Sequence, residues 1–511
     1  MNRFFKNLLL CLGILQLTLS FSAHASSKTS QDFLIQVENA SIAAQLSADI
    51  QNSLTPSQRR SGSVQVEILT DKWLRVQGLS EDSALLQSSQ VLHIQPNYKL
   101  SINMPWKVQD RLRVAAIKRA QMRNAEANQL HVRMGQDNPN IPLTGPQTSG
   151  SDPLLKNQWG MLDIGANQTW TMTQGDPKMI VAVIDTGVDY THEDLLPNLW
   201  RNPGETGLDA NGKDKATNGI DDDGNGYIDD AIGWDFVSND NKPYDLAGSP
   251  IEVLQGANPG HGTHCAGNVA AAGSNGKGIS GVAPKVSIMS LRFIGEKGEG
   301  TTADAVKAIH YAVDNGAKVL SNSWGSEGDD PQDEAGNKAL KDAIQYCQDK
   351  GVLFIAAAGN GHQGVGYDND TDAKPAVPAS YDHDIIVSVA AIDSNNKLGA
   401  FSNWGKKSVD LAAPGVKVFS TVVDNKYTDI ALDYFGFKAT WDGTSMATPH
   451  VAGAAALYWS AHPEKTWQEV KAALMNSVTK LPDYENKLVT GGKLNVLNLM
   501  KSNPSTVSFA R

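Results

Sequence analysis

Cysteine is nearly missing. Three occur in 511 residues, and one of them, Cys11, lies in the first apolar run. The other two, Cys265 and Cys347, are too few for a disulfide framework. Both are expected as buried thiols, with a bridge between them as the alternative. Clustered positive charge is also scarce. Acids outnumber Lys and Arg by 55 to 44, the formal net charge is −11, and the acidic residues crowd the middle of the chain. That balance argues against nucleic acid as a partner, because phosphate binding needs clustered Lys and Arg. It suits a protein that holds hard cations through carboxylates. Beyond the first apolar run no segment is long and apolar enough to span a bilayer, so no membrane span is expected. No internal repeat or accessory C-terminal domain is expected from the pattern.

What is present describes a globular chain. Hydrophobic content of 41% against 19% charged residues supports a large core and excludes general disorder. The length calls for two or more folding units. At the N-terminus, Arg3 and Lys6 precede an apolar run from Leu8 to Leu19, and Ala23-His24-Ala25 places small residues either side of one position. This is the pattern of an export signal over residues 1–25, cut after Ala25. The run is shorter than the about 20 residues that a span takes, and Cys11 lacks the small preceding residue of a lipidated signal. A secreted protein, extracellular or periplasmic, is expected.

Residues 26–104 read as a small α+β unit. Strand patterns at Asp32–Val37, Val64–Leu69, Trp73–Val76 and Val91–Ile94 alternate with helical stretches at Ala40–Leu54 and Ser80–Ser88. The order β-α-β-β-α-β is the ferredoxin-like pattern. Residues 105–150 combine a basic helical stretch (106–133, with Lys107, Arg111, Arg113, Lys118, Arg119, Arg123 and Arg133) and a Gly/Pro/Asn/Ser-rich linker from Gly135 to Gly150. Composition of the linker kind is easily nicked by proteases. From residue 151 to the end, apolar runs at Met179–Ile184, Val286–Leu291, Val319–Leu320, Val352–Ala357 and Ile385–Ala391 flank helical patterns such as Thr302–Asn315 and Ala335–Lys350. The alternation predicts an α/β unit, a mostly parallel sheet with helices on both faces.

Three segments carry candidate chemistry. Ile180-Val181-Ala182-Val183-Ile184-Asp185-Thr186-Gly187 is a buried strand ending on a carboxylate. His261-Gly262-Thr263-His264-Cys265-Ala266-Gly267 and Gly443-Thr444-Ser445-Met446-Ala447-Thr448-Pro449-His450 both open helices. In open α/β sheets functional groups gather at strand carboxyl ends and helix amino ends. A serine hydroxyl is a weak nucleophile that needs a base in reach. Imidazole suits that task near neutral pH, and a buried carboxylate fixes its tautomer and stabilises the imidazolium. Asp185, His261 and Ser445 supply the three groups. A zinc site at His261-x-x-His264 with Cys265 is disfavoured, because no glutamate base stands between the histidines; Cys265 reads as a packing residue.

The three segments, in the order Asp…His…Ser, resemble those of the subtilisin-like serine proteases over most of residues 151–498. The resemblance implies a secreted serine endopeptidase working through an acyl-enzyme. Ser445 would be the nucleophile, His261 the general base and acid, and Asp185 the residue orienting His261. Phe354-Ile355-Ala356-Ala357-Ala358-Gly359-Asn360 resembles the family's oxyanion-hole segment, with Asn360 as donor. Ser323-Trp324-Gly325 and Gly298-Glu299-Gly300 resemble the two edges that hold a substrate backbone as a β-strand. Protein or peptide substrates and a monomeric enzyme are implied.

The acidic run from Asn218 to Asp230 has oxygen ligands at alternate positions: Asp221, Asp223 and Asn225, then the Tyr227 carbonyl, with Asp229 or Asp230 closing the set. Structural Ca²⁺ is expected there, since so many carboxylates repel one another without a cation. The EF-hand's closing glutamate is absent. By resemblance, Asp194 and Asn275 form a second calcium site. Residues 26–104 resemble the family's inhibitory pro-segment, an intramolecular partner removed by self-cleavage, with the junction expected between Gly135 and Ser151. Two rival readings are weaker: a catalytically silent binding protein on the same fold, disfavoured because all three groups are present, and a calcium-dependent adhesive module, disfavoured because the acidic loop occurs once.

Overall fold

The computed structural model describes residues 32–80, 83–84, 86–105, 152–326 and 336–502. The expected export signal, the basic stretch 106–133 and the linker with its expected junction lie outside the described residues. The chain divides into two compact units, one up to Pro96 and one from Asn97 onward.

In the first unit, β1 (Asp32–Gln36), α1 (Ala40–Ser53), β2 (Gln65–Ile68), β3 (Trp73–Gln77) and β4 (His93–Pro96) form an antiparallel sheet of order β2-β3-β1-β4 with a helix. The four strands and first helix of the expected ferredoxin-like order are present, whereas its second helix is not found among the described residues. Asn39 caps α1 by accepting the Ile42 N–H at 3.1 Å. One face of the helix, through Ala43, Leu46 and Ile50, closes over Phe33, Ile35, Leu74 and Val76. Each such buried Leu, Ile or Phe contributes about 1.5–3 kcal/mol. The helix expected over Ser80–Ser88 is replaced, among the described residues, by turns in which Ser83 and Leu86 donate to Ser80 and Ser83. Serine hydroxyls compete with helical backbone bonds, so a segment this rich in Ser favours turns.

The second unit is built on nine strands. They include β6 (Ile180–Asp185), β7 (Gly233–Asp235), β8 (Ser287–Arg292), β10 (Val319–Asn322), β11 (Leu353–Ala357), β12 (Ile386–Ile392) and β13 (Leu411–Pro414). Their spatial order is β13-β12-β11-β10-β6-β8-β7, all parallel, extended beyond β13 by Gly492–Lys493 and an antiparallel edge at Thr479–Lys480. Strands β10 to β13 are buried at every position, as expected for a parallel sheet covered on both faces. Helix α2 (His261–Ala270) packs on α5 (Thr444–Ala461), while α3 (Thr302–Asp314) packs on α4 (Lys338–Lys350). The expected mostly parallel α/β sheet is therefore observed. Two short strands outside this sheet, β5 (Lys99–Ser101) and β9 (Glu299–Thr301), pair antiparallel. Strand β6 is the switch point: later strands lie on both of its sides, which opens a crevice at its carboxyl end. No described helix is long and apolar enough to cross a membrane.

Candidate active site

Strand β6 ends in that crevice on Asp185, which is fully buried. Its Oδ1 accepts the Thr186 N–H at 2.7 Å and lies 2.7 Å from His261 Nδ1. Facing an anion, Nδ1 carries the ring proton and Nε2 is left as the acceptor. That Nε2 is buried with no hydrogen-bond partner among the described residues. Burial alone would push the imidazole pKa down. The Asp185 carboxylate outweighs it and holds the ring well above the ordinary 6.5. The Cys265 thiol, 3.8 Å from Nδ1, adds no charge, because burial pushes its own pKa up. Cys265 and Cys347 are both buried and unbridged.

A second buried carboxylate joins strand to helix. Asp245 Oδ1 accepts from Thr186 Oγ1 at 2.8 Å and Asn258 Nδ2 at 2.7 Å, and Oδ2 accepts from Thr263 N at 2.8 Å and Thr263 Oγ1 at 2.6 Å. Burial pushes its pKa up to about 6 against these four bonds, which pull it down. Asn258 in turn accepts the Gly260 and His261 N–H groups, each at 2.9 Å, and so satisfies the first free N–H of α2. Gly262 lets the helix reach the strand: a Cβ there would stand 2.1 Å from the Gly187 carbonyl oxygen.

Ser445, the second residue of α5, is 2% exposed. Its Oγ donates to the Ser323 carbonyl at 3.0 Å, and Ser323 Oγ donates back to the Ser445 carbonyl at 2.9 Å. Cys265 Sγ touches that same carbonyl at 3.5 Å as well as the His261 ring, so one side chain packs against both the histidine and the serine. Ser323 thus braces Ser445. Trp324 is buried edge-on against Phe293, centroids 4.9 Å apart.

The remaining expected residues line a cleft that holds the chain's own strand. Leu100 pairs with Gly300, Ser101 N and O exchange bonds with Gly325 O and N at 3.0 and 3.1 Å, and Ile102 N donates to Gly298 O at 3.2 Å. Asn360 Oδ1 accepts from Thr444 N at 2.8 Å and Thr444 Oγ1 at 3.0 Å, which turns Nδ2 toward the cleft. There Nδ2 donates to the Asn103 carbonyl. A small hollow at this point is walled by Trp324, Ala357, Gly359, Ala376 and Thr444 beside Asn103.

Away from the cleft, the acidic run folds around a residue outside it. Carboxylate oxygens of Glu205, Asp221 and Asp223 lie within 4.8 Å of one another. Glu205 is fully buried and its Oε2 has no partner among the described residues; burial, then the Asp230 and Asp223 charges, push its pKa up to about 7. An orphaned buried oxygen converging with two carboxylates fits a hard cation. Asn225 Nδ2 reaches Asp223 and Asp230 at 3.3 and 2.9 Å, and Tyr227 N–H donates to Asn225 Oδ1. Asp230 also accepts from Tyr311 and Asn202, and Asp229 accepts the Gly219 N–H. In the second expected set, Asn275 Nδ2 donates to Asp194 Oδ1 at 2.8 Å, and Asp152 accepts the Ser274 and Asn275 N–H groups. Sequence reasoning missed Glu205, Asp245, Asn258 and Asp152. Each is a single polar residue in an irregular segment, with no spacing that distinguishes it from a solvated turn.

The sequence model of the Subtilase family matches residues 176–492. Among curated proteins, the chain is 35% identical to thermitase of Thermoactinomyces vulgaris over 332 residues, 65% of this chain and 92% of the relative. It is 34% identical to the thermophilic serine proteinase of Bacillus sp. (strain AK1) over 343 residues, 67% of each, and 38% identical to subtilisin DY of Bacillus licheniformis over 229 residues, 44% of this chain and 72% of the relative. Since the family match takes in the sheet, the Asp185–His261 pair and the helix that opens beside Ser445, the chain belongs to the subtilase family and is a serine-type endopeptidase.

Proposed function

We propose that this protein is an exported, self-processing endopeptidase whose nucleophile is Ser445. The observation that carries this is the buried Asp185–His261 pair, 2.7 Å apart, with His261 Nε2 left unpartnered among the described residues. Turning from the Ser323 carbonyl, Ser445 Oγ gives its proton to Nε2 as it attacks a peptide carbonyl carbon. The oxyanion receives Asn360 Nδ2 and the Ser445 backbone N–H, and a donor of this kind contributes about 10²–10³ in turnover. The imidazolium, held by Asp185, then protonates the departing amine. Water regenerates the serine from the acyl-enzyme by the reverse proton path.

Substrate enters as an added strand between Gly298–Gly300 and Gly325, so main-chain hydrogen bonds hold it and many sequences are accepted. The strand formed by residues 99–101 fills this position and supports the reading of the N-terminal region as an intramolecular inhibitor. Glu205, Asp221 and Asp223, with Asn225 nearby, would hold Ca²⁺, which neutralises their mutual repulsion and ties the loop down. Asp194, Asn275 and Asp152 form a second candidate set. The Arg3–Ala25 pattern supports export. The test is hydrolysis of an unfolded protein substrate: wild type cleaves, whereas Ser445→Ala and His261→Ala each lose about 10⁶ in kcat. Comparable turnover by either variant would refute the assignment.

A further inference from the structure

Given that Ser445 cleaves this chain, we propose that Asn103–Met104 is the first bond it cuts in itself, and that the hollow beside Asn103 selects a short uncharged side chain before the cut. Three independent contacts fix the register. Ser101 exchanges both backbone bonds with Gly325, Ile102 N donates to Gly298 O, and Leu100 lies opposite Gly300. With those residues set, the carbonyl on Asn360 Nδ2 is that of Asn103. Since Asn360 is the donor aimed at a developing oxyanion, the carbonyl it holds is the one that will be attacked. The chain also stays in the cleft beyond this bond. Met104 is buried, 4% exposed, and a Cβ at Gly364 would stand 2.5 Å from the Pro105 carbonyl oxygen. The segment is therefore threaded past the serine on both sides of one bond.

The side chain of Asn103 is fixed from within its own strand, because Ser101 Oγ donates to Asn103 Oδ1 at 2.9 Å. Around it the hollow offers Trp324, Ala357, Gly359 and Ala376 and, among the described residues, no charged side chain. An ionised side chain there would lose water without gaining a partner. An acid would also stand near the oxyanion and oppose its formation.

The step balances without an outside reactant except water. Ser445 Oγ bonds to the Asn103 carbonyl carbon while its proton moves to His261 Nε2. The C–N bond to Met104 breaks, and the same proton passes to the Met104 nitrogen, which becomes a free amine. Water then attacks the Asn103 ester, leaving a carboxylate on Asn103 and the hydroxyl on Ser445. Residues 104–151 remain attached to the catalytic unit at this stage, so any cut in the Gly135–Ser151 region comes afterwards.

The experiment follows the full chain after synthesis, with labelling of new N-termini and mass spectrometry of early products. The expected first pair is a fragment ending at Asn103 and one beginning at Met104, absent in Ser445→Ala. Asn103→Asp, nearly isosteric, is expected to slow the appearance of that pair at least tenfold. In parallel, purified enzyme is given a synthetic peptide of sequence Tyr98–Pro105. Cleavage after Asn103 is expected, and aspartate in place of that asparagine lowers kcat/KM at least tenfold. Three results would overturn the inference and leave the protease reading intact: an active enzyme whose earliest new terminus lies elsewhere, cleavage of the peptide at another bond, or indifference to the Asn103→Asp change. Cleavage at Met104 that persists in Ser445→Ala would overturn both.

Discussion

As the proposed general base, His261 would work only while Nε2 is unprotonated, so the sign of its pH dependence follows from its surroundings. Asp185 holds the imidazolium form, raising the pKa above the ordinary 6.5 against the opposing effect of burial. Turnover is then lost as pH falls through that raised value, and the ascending limb of the self-cleavage rate is expected above pH 6.5. Asp185→Asn removes the anion and leaves burial acting alone. Its limb is expected at lower pH, with kcat reduced about 10⁴-fold; an unmoved limb would mean that Asp185 does not set the ring's charge. Asp245 acts one step further out, through Thr186, Asn258 and Thr263. Asp245→Asn puts an NH₂ among donors and is expected to cost about 2–4 kcal/mol in stability. It should also lower kcat about tenfold at unchanged KM, as a tilted imidazole would. Thermal melts with peptide kinetics on the same samples separate the two effects. At this scale the sequence spoke unevenly. Asp185, His261 and Ser445 sit in extended apolar and small-residue segments, while Asp245 and Glu205 become partners only through the folding of irregular chain.

Strand and helix patterns were largely readable because buried parallel strands are continuous apolar runs, as at Leu353–Ala357 and Ile386–Ile392. The pattern failed at Ser80–Ser88, where hydroxyls compete for the backbone and periodicity alone points the wrong way. Lys99–Ser101 had no strand signature at all: it is short, and its partner, Glu299–Thr301, lies far along the sequence. The strand edges themselves invite a test. Gly298 has φ +75, and a Cβ there would stand 2.6 Å from the Gly256 carbonyl oxygen and 3.2 Å from Ile102 Cγ1. Gly298→Val is therefore expected to raise KM for peptide substrates at least fivefold, the loss falling on binding more than on kcat, since the crowding occurs away from Ser445. A kcat defect at unchanged KM would argue that this edge does not hold substrate.

For the whole molecule, the parallel sheet with Asp185 at its switch point sets the location of the proposed chemistry, and the acidic loop is expected to set how long the fold survives heat. Ligand binding to the folded state alone stabilises by about 2.7 kcal/mol at a hundredfold excess over Kd. Removing Ca²⁺ with a chelator is thus expected to lower Tm by several degrees, restored by Ca²⁺ far better than by Mg²⁺, which demands stricter octahedral geometry. Glu205→Gln should abolish most of that difference while leaving turnover at low temperature unchanged. Equal Tm with and without the ion would remove calcium from the account. That Ser445 is a nucleophile made reactive by His261 is tested most directly by the intact mass and peptide map of the purified protein after treatment with a fluorophosphonate probe. One adduct, on Ser445, lost in His261→Ala, is the result predicted. Adduct formation on another residue, or none on an intact folded protein, would contradict it.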